Sequence, residues 1–281
     1  MSASVAVVGR GFGATVHAPG WELAGATVLG VFGREDWRNG IVNADVVSVA
    51  TPPASHAEVA LAALGDGKRV LCEKPLASTL ADAERMAEAP GETAVSFSYR
   101  AVPAFLRFRD LLDTDELEVT WTSGGRRSAR AASWKDDPRQ GGALSGYGIH
   151  ALDYARWLLG DAQVSSATVD TNEDVFEAVL RHDAGGRSTI RVSVVDEVRV
   201  HELRAGDLVL RTQGADPVDF ELRRGDVRVE VDPLPLPVGL DPRVAPFVVH
   251  ARALLEDRDR PTFTDGLHAQ RLLDQVRRFA S

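Results

Sequence analysis

Lys74 stands between Glu73 and Pro75 in the run VLCEKPLAST, directly after a short apolar stretch. It is one of three lysines, with Lys68 and Lys135, in a chain that otherwise takes its positive charge from 29 arginines. An arginine keeps its proton under all ordinary conditions, whereas a desolvated lysine can give one up. A lysine here suits a proton-transferring amine. The plainer alternative is a surface side chain in a strand-end turn. Proton transfer of this kind needs a cofactor and a second proton carrier from elsewhere in the chain.

The N-terminal run VAVVGRGFGATVHAP supplies a cofactor seat. Gly9, Gly11 and Ala14 form G-x-G-x-x-A between a strand and a helix, with Phe12 and Gly13 completing the loop. Gly9 allows a tight turn, Gly11 lets a pyrophosphate approach the backbone, and a small residue at 14 lets helix and strand pack closely. The anion then meets the N–H groups at the start of the helix. The alternative is a glycine-rich turn that binds nothing. At the end of the second strand, VFGRED puts Gly33 where a ribose-binding carboxylate is expected and Arg34 after it. That favours NADP, with Glu35 or Asp36 left as acceptors for NAD.

The elements that must hold these groups alternate. Strands are expected at SVAVVG, ATVLGVFG, DVVSVATPP, RVLCE and TAVSFSY, with helices at GATVHAPGWELAG, SHAEVALAALGDG and TLADAERMAEA. This pattern predicts a parallel sheet wound with helices over residues 1–100. Only 11 residues separate Arg34 from Val46. A crossover helix and a strand need more, yet 11 extended residues reach about 36 Å. A third strand is therefore expected to be missing, leaving the second strand at the edge and Trp37 to cover that edge or an adenine. After Arg100 the pattern changes to half-exposed alternating segments such as RSTIRVSVV, VRVHELRA and VDFELRR, with turns at Gly185-Gly186, Gly206-Asp207 and Gly225-Asp226. Residues 101–281 thus read as an α+β domain with a large, mainly antiparallel sheet. Closing helices are expected over 244–256 and 267–279, free by sequence to pack back on either part.

The net charge of −9 and pI near 5.3 argue against nucleic acid or an anionic membrane as partner. Cys72 is the only cysteine, which suits a reducing compartment and leaves no disulfide. No basic leader precedes a long apolar run, and no apolar run reaches the roughly 18 residues of a membrane span. The expected location is cytoplasmic. The seven histidines are scattered, so no metal site is expected.

With Gly9, Gly11, ATPPASH, CEKP and GGALSGYGIHALDYARWLLG in this order, the chain resembles the glucose–fructose oxidoreductase/inositol dehydrogenase/MocA family. The resemblance runs from the first strand to FTDGLHAQRLLDQVRR near the C-terminus. It implies an N-terminal Rossmann domain and a C-terminal domain whose open sheet forms a homo-oligomer interface. It also implies hydride transfer between NAD(P) and a carbonyl or hydroxyl carbon of a sugar-like small molecule. Lys74 then lies beside the nicotinamide as acid/base, with Glu73 orienting it and Pro75 in cis. His150 is the second proton carrier. The family usually has an aspartate where this chain has Gly146, so the substrate differs from a polyol or His150 works with Lys74 alone. Thr51, Pro52 and His56 are expected along the cofactor. Tyr99, Arg100, Lys135 and Tyr147 are expected near the substrate, and His17 is read as packing. Alternatives are a non-redox or sensor descendant that keeps the cofactor, and an imine or enone reductase.

Overall fold

The computed structural model describes residues 2–124, 142–213 and 216–280. They form two compact units: Met1–Ala101 with Leu234–Leu267, and Val102–Pro233 with His268–Ser281.

The first unit is built on five parallel strands, β1 (Ser4–Val8), β2 (Thr27–Phe32), β3 (Val46–Val49), β4 (Arg69–Cys72) and β5 (Thr93–Val95), in the order β2-β1-β3-β4-β5. Val5 to Val8 are wholly buried, as are Val46, Val47 and Val49. That explains why these strands read as continuous apolar runs rather than alternating ones. The strand that usually follows β2 and lies outside it is missing, as the short connection requires, and β2 is the edge. Instead the chain makes a single helical turn, α1 (Trp37–Gly40), in which Trp37 is buried under the Arg38 guanidinium, 4.3 Å from its ring. Gly40 lies flat on the Phe32 ring of β2, where a Cβ would come within 2.5 Å. The chain re-enters the sheet at Asp45, whose carboxylate accepts the Ser4 N–H at 2.8 Å.

The first helical stretch differs from the expected single helix. A π-helical turn, Gly13–His17, precedes α2 (Ala18–Leu23). Pro19 is the second residue of α2, which continues directly from the π-helical turn. The helices α3 (His56–Gly65) and α4 (Leu80–Glu88) follow β3 and β4. Thr79 caps α4 by accepting the Asp82 N–H at 3.1 Å.

The stretch 234–267 lies with this parallel-sheet unit, not with the 101–281 segment to which sequence order assigned it. The reason is the apolar face of α5 (Val244–Leu255). Val244, Phe247, Ala251 and Leu254 join Val5, Val7, Trp21 and Leu71 in one core cluster. Gly20 makes the close approach possible, since a Cβ there would meet the Phe247 ring at 2.3 Å.

The second unit holds α6 (Pro103–Leu111), α7 (Ile149–Leu159) and an eight-stranded sheet. Its strands are β6 (Glu116–Ser123), β7 (Ala162–Val169), β8 (Val175–His182), β9 (Arg187–Ser193), β10 (Arg199–Ala205), β11 (Leu208–Thr212), β12 (Phe220–Arg224) and β13 (Val227–Val229). Their order is β13-β12-β11-β10-β6-β9-β8-β7. All pairs are antiparallel except β6–β9. Gly206, at φ +59°, makes the two-residue turn between Ala205 and Leu208. One face of the sheet buries Val119, Leu180, Ile190, Leu203, Leu210 and Leu222. The other carries ion pairs, among them Arg191–Glu177 at 3.2 Å, Arg204–Glu202 at 3.0 Å and Arg223–Glu221 at 3.1 Å. The last helix, α8 (Phe263–Ala280), starts four residues before the apolar spacing suggests, with Asp265 accepting the Thr262 N–H at 2.9 Å. Among the described residues, no helix is long and apolar enough to cross a membrane.

Candidate functional site

The glycine loop leaves β1 at its carboxyl end. Gly9 has φ +128°, and a Cβ on it would stand 2.3 Å from the Ala50 carbonyl oxygen. Two strand ends are thereby brought into backbone contact that only glycine permits. Gly11 is the opposite case: among the described residues nothing lies within 4 Å of where its Cβ would be, so the loop presents an open cradle there. The close helix–strand contact is made by Gly13, whose Cβ would meet Val7 Cγ1 at 2.9 Å. Ala14, expected in that role, is exposed. The π-helical turn explains the change, because it alters which residue of the turn faces the strand. Phe12 is half-buried, with its ring under the Arg243 guanidinium at 4.8 Å.

At the tip of β2, Gly33 donates its N–H to Asp36 Oδ1, and Arg10 Nη2 bonds Asp36 Oδ2 at 2.6 Å. The Gly33 bond, opposed in part by desolvation and aided by Arg10, holds the Asp36 carboxyl below its ordinary range. Both oxygens of the one carboxylate fixed at this strand tip are thus engaged within the protein. Arg34 and Glu35 are exposed.

The loop after β3 lies alongside. The Thr51 hydroxyl is buried and has no hydrogen-bond partner among the described residues. An orphaned hydroxyl on the residue that packs against Gly9 of the glycine loop fits a polar ligand that completes it. Pro52 is extended and half-buried ahead of a 3-10 turn, Pro53–Ser55. His56, expected near the phosphates, is completely buried. Its Nε2 lies 2.8 Å from the Thr51 carbonyl, and its Nδ1 lies 3.0 Å from Pro75 O and 3.3 Å from Leu76 O. Burial pushes its basicity down despite these carbonyls. A neutral ring has one N–H, which bonds either the Thr51 side or the Pro75 side. His56 is therefore a brace between two loops and has no reach to a phosphate.

Lys74 follows β4 by two residues and is half-buried, with the Lys74–Pro75 peptide bond cis. Its backbone N–H bonds Glu73 Oε2 at 3.3 Å. The Glu73 side chain turns inward and is 13% exposed, and Oε1 lies 3.2 Å from His17 Nε2. Burial alone would raise the Glu73 carboxyl. The His17 hydrogen bond, the His17 and Lys74 charges and the Ser96 hydroxyl together bring it below its ordinary value. Tyr99 is buried in the 3-10 turn Ser98–Ala101. Arg100, expected at the substrate, pairs with Asp265 Oδ1 at 3.0 Å and lies over the Phe97 ring.

In the second unit, Tyr147 lies on a π-helical turn, Leu144–Gly148, and His150 in the first turn of α7. The ring of Trp121, on β6, is 5.1 Å from Tyr147 and 6.1 Å from His150. The same ring stacks on His201 at 3.8 Å, and His201 Nε2 lies 3.2 Å from the Tyr154 hydroxyl. Burial, with the Arg199 charge, pushes His201 down to about 3, so it is neutral. Among the described residues, nothing lies within 4 Å of where a Cβ on Gly146 would stand. Lys135 lies outside the described residues.

The structure therefore gathers Gly9, Gly11, Phe12, Gly13, Thr51, Pro52, Glu73 and Lys74 at the carboxyl edge of the parallel sheet, and Tyr147 with His150 in the second unit. Sequence reasoning missed His17 as a partner of Glu73, and it missed Trp121 and His201. The inward register of HELRA, with His201 at a buried position, was the available signal for the last.

Two models of one family match the chain: its oxidoreductase, NAD-binding Rossmann-fold part over residues 35–100 and its GFO/IDH/MocA C-terminal domain over 108–205. A levoglucosan dehydrogenase of Pseudarthrobacter phenanthrenivorans is 32% identical over 154 residues, which are 48% of this chain and 39% of that protein. An inositol 2-dehydrogenase of Saccharopolyspora erythraea is 34% identical over 134 residues, 45% of this chain and 38% of that protein. The match thus spans less than half the length of these curated relatives. A solved levoglucosan dehydrogenase in complex with NADH and levoglucosan has the same fold, with a TM-score of 0.81 at 18% identity over 100% of this chain and 97% of the other.

Proposed function

The chain belongs to the Gfo/Idh/MocA family of oxidoreductases, and on that premise we propose that it is an NAD(P)-dependent oxidoreductase acting on a carbonyl or hydroxyl carbon of a small sugar-like metabolite. The observation that carries this reading is the carboxyl edge of the parallel sheet. There the open cradle at Gly11 and the unpartnered Thr51 hydroxyl share one edge with the Lys74 turn. Ligands of open parallel sheets bind at such an edge. Gly9, Gly11, Phe12, Gly13, Thr51 and Pro52 would hold the dinucleotide. When bound, its nicotinamide supplies or accepts the hydride. Lys74 handles the proton at the substrate oxygen: as ammonium it polarises a ketone, and as amine it accepts a hydroxyl proton. His150 is the second carrier, with Tyr147 beside the substrate.

The favoured dinucleotide is NADP(H). Gly33 offers no carboxylate, Asp36 is engaged by Gly33 and Arg10, and Arg34 is exposed at the same tip. A second reading concerns the substrate. Gly146, one turn before His150, offers no carboxylate where the family usually has an aspartate, and the lost acceptor favours a compound poorer in hydroxyls than a polyol, including a conjugated ketone or imine.

Fluorescence titration with NADPH and NADH tests both points. NADPH is expected to bind more tightly, and Arg34→Ala to narrow the difference. Lys74→Met is expected to keep binding while turnover of any accepted sugar, cyclitol or ketone falls by about 100-fold or more. Failure to bind either dinucleotide overturns the reading.

A further inference from the structure

The mechanism above uses Lys74 and leaves unexplained a buried polar chain behind it. His17 is wholly buried on the π-helical turn that follows the glycine loop. Its Nδ1 lies 2.8 Å from the hydroxyl of Ser48, itself fully buried on β3, and its Nε2 lies 3.2 Å from Glu73 Oε1. An ionised carboxylate only accepts, so Nε2 carries the proton. Two rings pack against it: Phe12 meets it edge-on at 5.5 Å and Phe247 lies 4.3 Å from it. Three stretches distant in sequence thus meet at one carboxylate, and the residue after that carboxylate is Lys74.

A glutamate adjacent in sequence to a catalytic amine is also a hazard. Left without a partner in a partly desolvated place, its carboxylate would find its best partner in the ammonium. The pair would hold the proton that catalysis must exchange. We propose that His17, backed by Ser48, is a positioning residue that keeps Glu73 turned inward, so that this carboxylate supports the Lys74 turn without capturing its amine. The inference rests on the reading of Lys74 as acid/base. It also ties the amine to the cofactor seat, because His17 closes the turn that begins at Gly13. The charged and titratable groups around Glu73 are His17 and Lys74, then His56 on α3, His250 and Arg243 at α5, and the Cys72 thiol on β4, which burial and the Glu73 charge push up.

The scarcity of lysine makes a direct test possible without substrate or cofactor. Lysine labelled with 13C at Cε gives three signals in the full chain, and Lys68→Arg and Lys74→Met assign them. Glu73→Gln, which removes the charge, is expected to move the Lys74 titration midpoint down. His17→Leu, which releases the carboxylate, is expected to move it up. His17→Gln keeps an N–H donor toward Glu73 and is expected to return the midpoint close to wild type. The Lys68 and Lys135 midpoints should not move. A Lys74 midpoint in His17→Leu that stays at the wild-type value, or falls as in Glu73→Gln, overturns the proposal. So does a His17→Gln midpoint equal to that of His17→Leu. Should His17→Leu not fold, Ser48→Ala decides: a smaller upward shift supports the tether, and an unchanged midpoint overturns it. Loss of dinucleotide binding would remove the proposed activity but leave these titrations readable.

Discussion

At the scale of single residues, the two loop glycines separate stability from binding. Gly9 is held at φ +128° against the Ala50 carbonyl, so Gly9→Ala forces a strained backbone and a collision. A loss of about 3 kcal/mol is expected, read as a lower thermal midpoint. Gly11 faces open space, so Gly11→Val is expected to leave the melting curve unchanged and to abolish tight dinucleotide binding in the fluorescence titration. Both glycines were legible in the sequence, because a tight turn and a close backbone approach admit few other residues. Lys74 was legible for a similar reason: its side-chain chemistry is unusual for this chain. His17 was not. A single histidine among apolar neighbours reads as packing, and its partners Ser48 and Glu73 are 31 and 56 residues away. Only the fold joins them.

At the scale of elements, the short connection after Arg34 announced the missing strand through length alone, since 11 residues do not suffice for a helix and a strand. The affiliation of α5 was hidden because its apolar face does not say which core it covers. That face leads to a prediction. Phe247 is 1% exposed, packed on Gly20, Trp21 and His17. Phe247→Ala is expected to cost about 3–5 kcal/mol, measured by urea unfolding. For the same reason residues 1–101 expressed alone, without 234–267, are expected to lack cooperative unfolding. The parallel pairing of β6 with β9 was also unreadable. Alternation fixes which side chains face inward but not which strand lies next door.

At the scale of the whole molecule, buried neutral histidines set the response to acid. Burial lowers His250 to about 4 and His201 to about 3. In the unfolded chain both titrate near the ordinary histidine value of about 6.5. The native state therefore binds fewer protons below that pH. Its stability is complete above about pH 6.5 and declines as pH falls toward 4 and then 3, by up to about 1.4 kcal/mol per pH unit for each histidine. Urea midpoints between pH 7.5 and 4.5 should show the slope. His201→Phe, which keeps a ring beside Trp121 without a titrating nitrogen, should make it shallower. The eight-stranded sheet, through which the family resemblance implies self-association, presents a charged face. Arg191–Glu177 and Arg223–Glu221 are pairs within one chain, and a complex built on this charged face is expected to loosen with added salt in light scattering. The parallel sheet carries a different liability at its rim. With no third strand beside it, β2 shows an outer row of backbone groups that a foreign strand could adopt as a template. Its brevity, six residues with Gly30 among them, keeps that row short and poor in grip. The economy of a trimmed cofactor half is thus bought with a seam where copies of the chain would first stick together when crowded or heated.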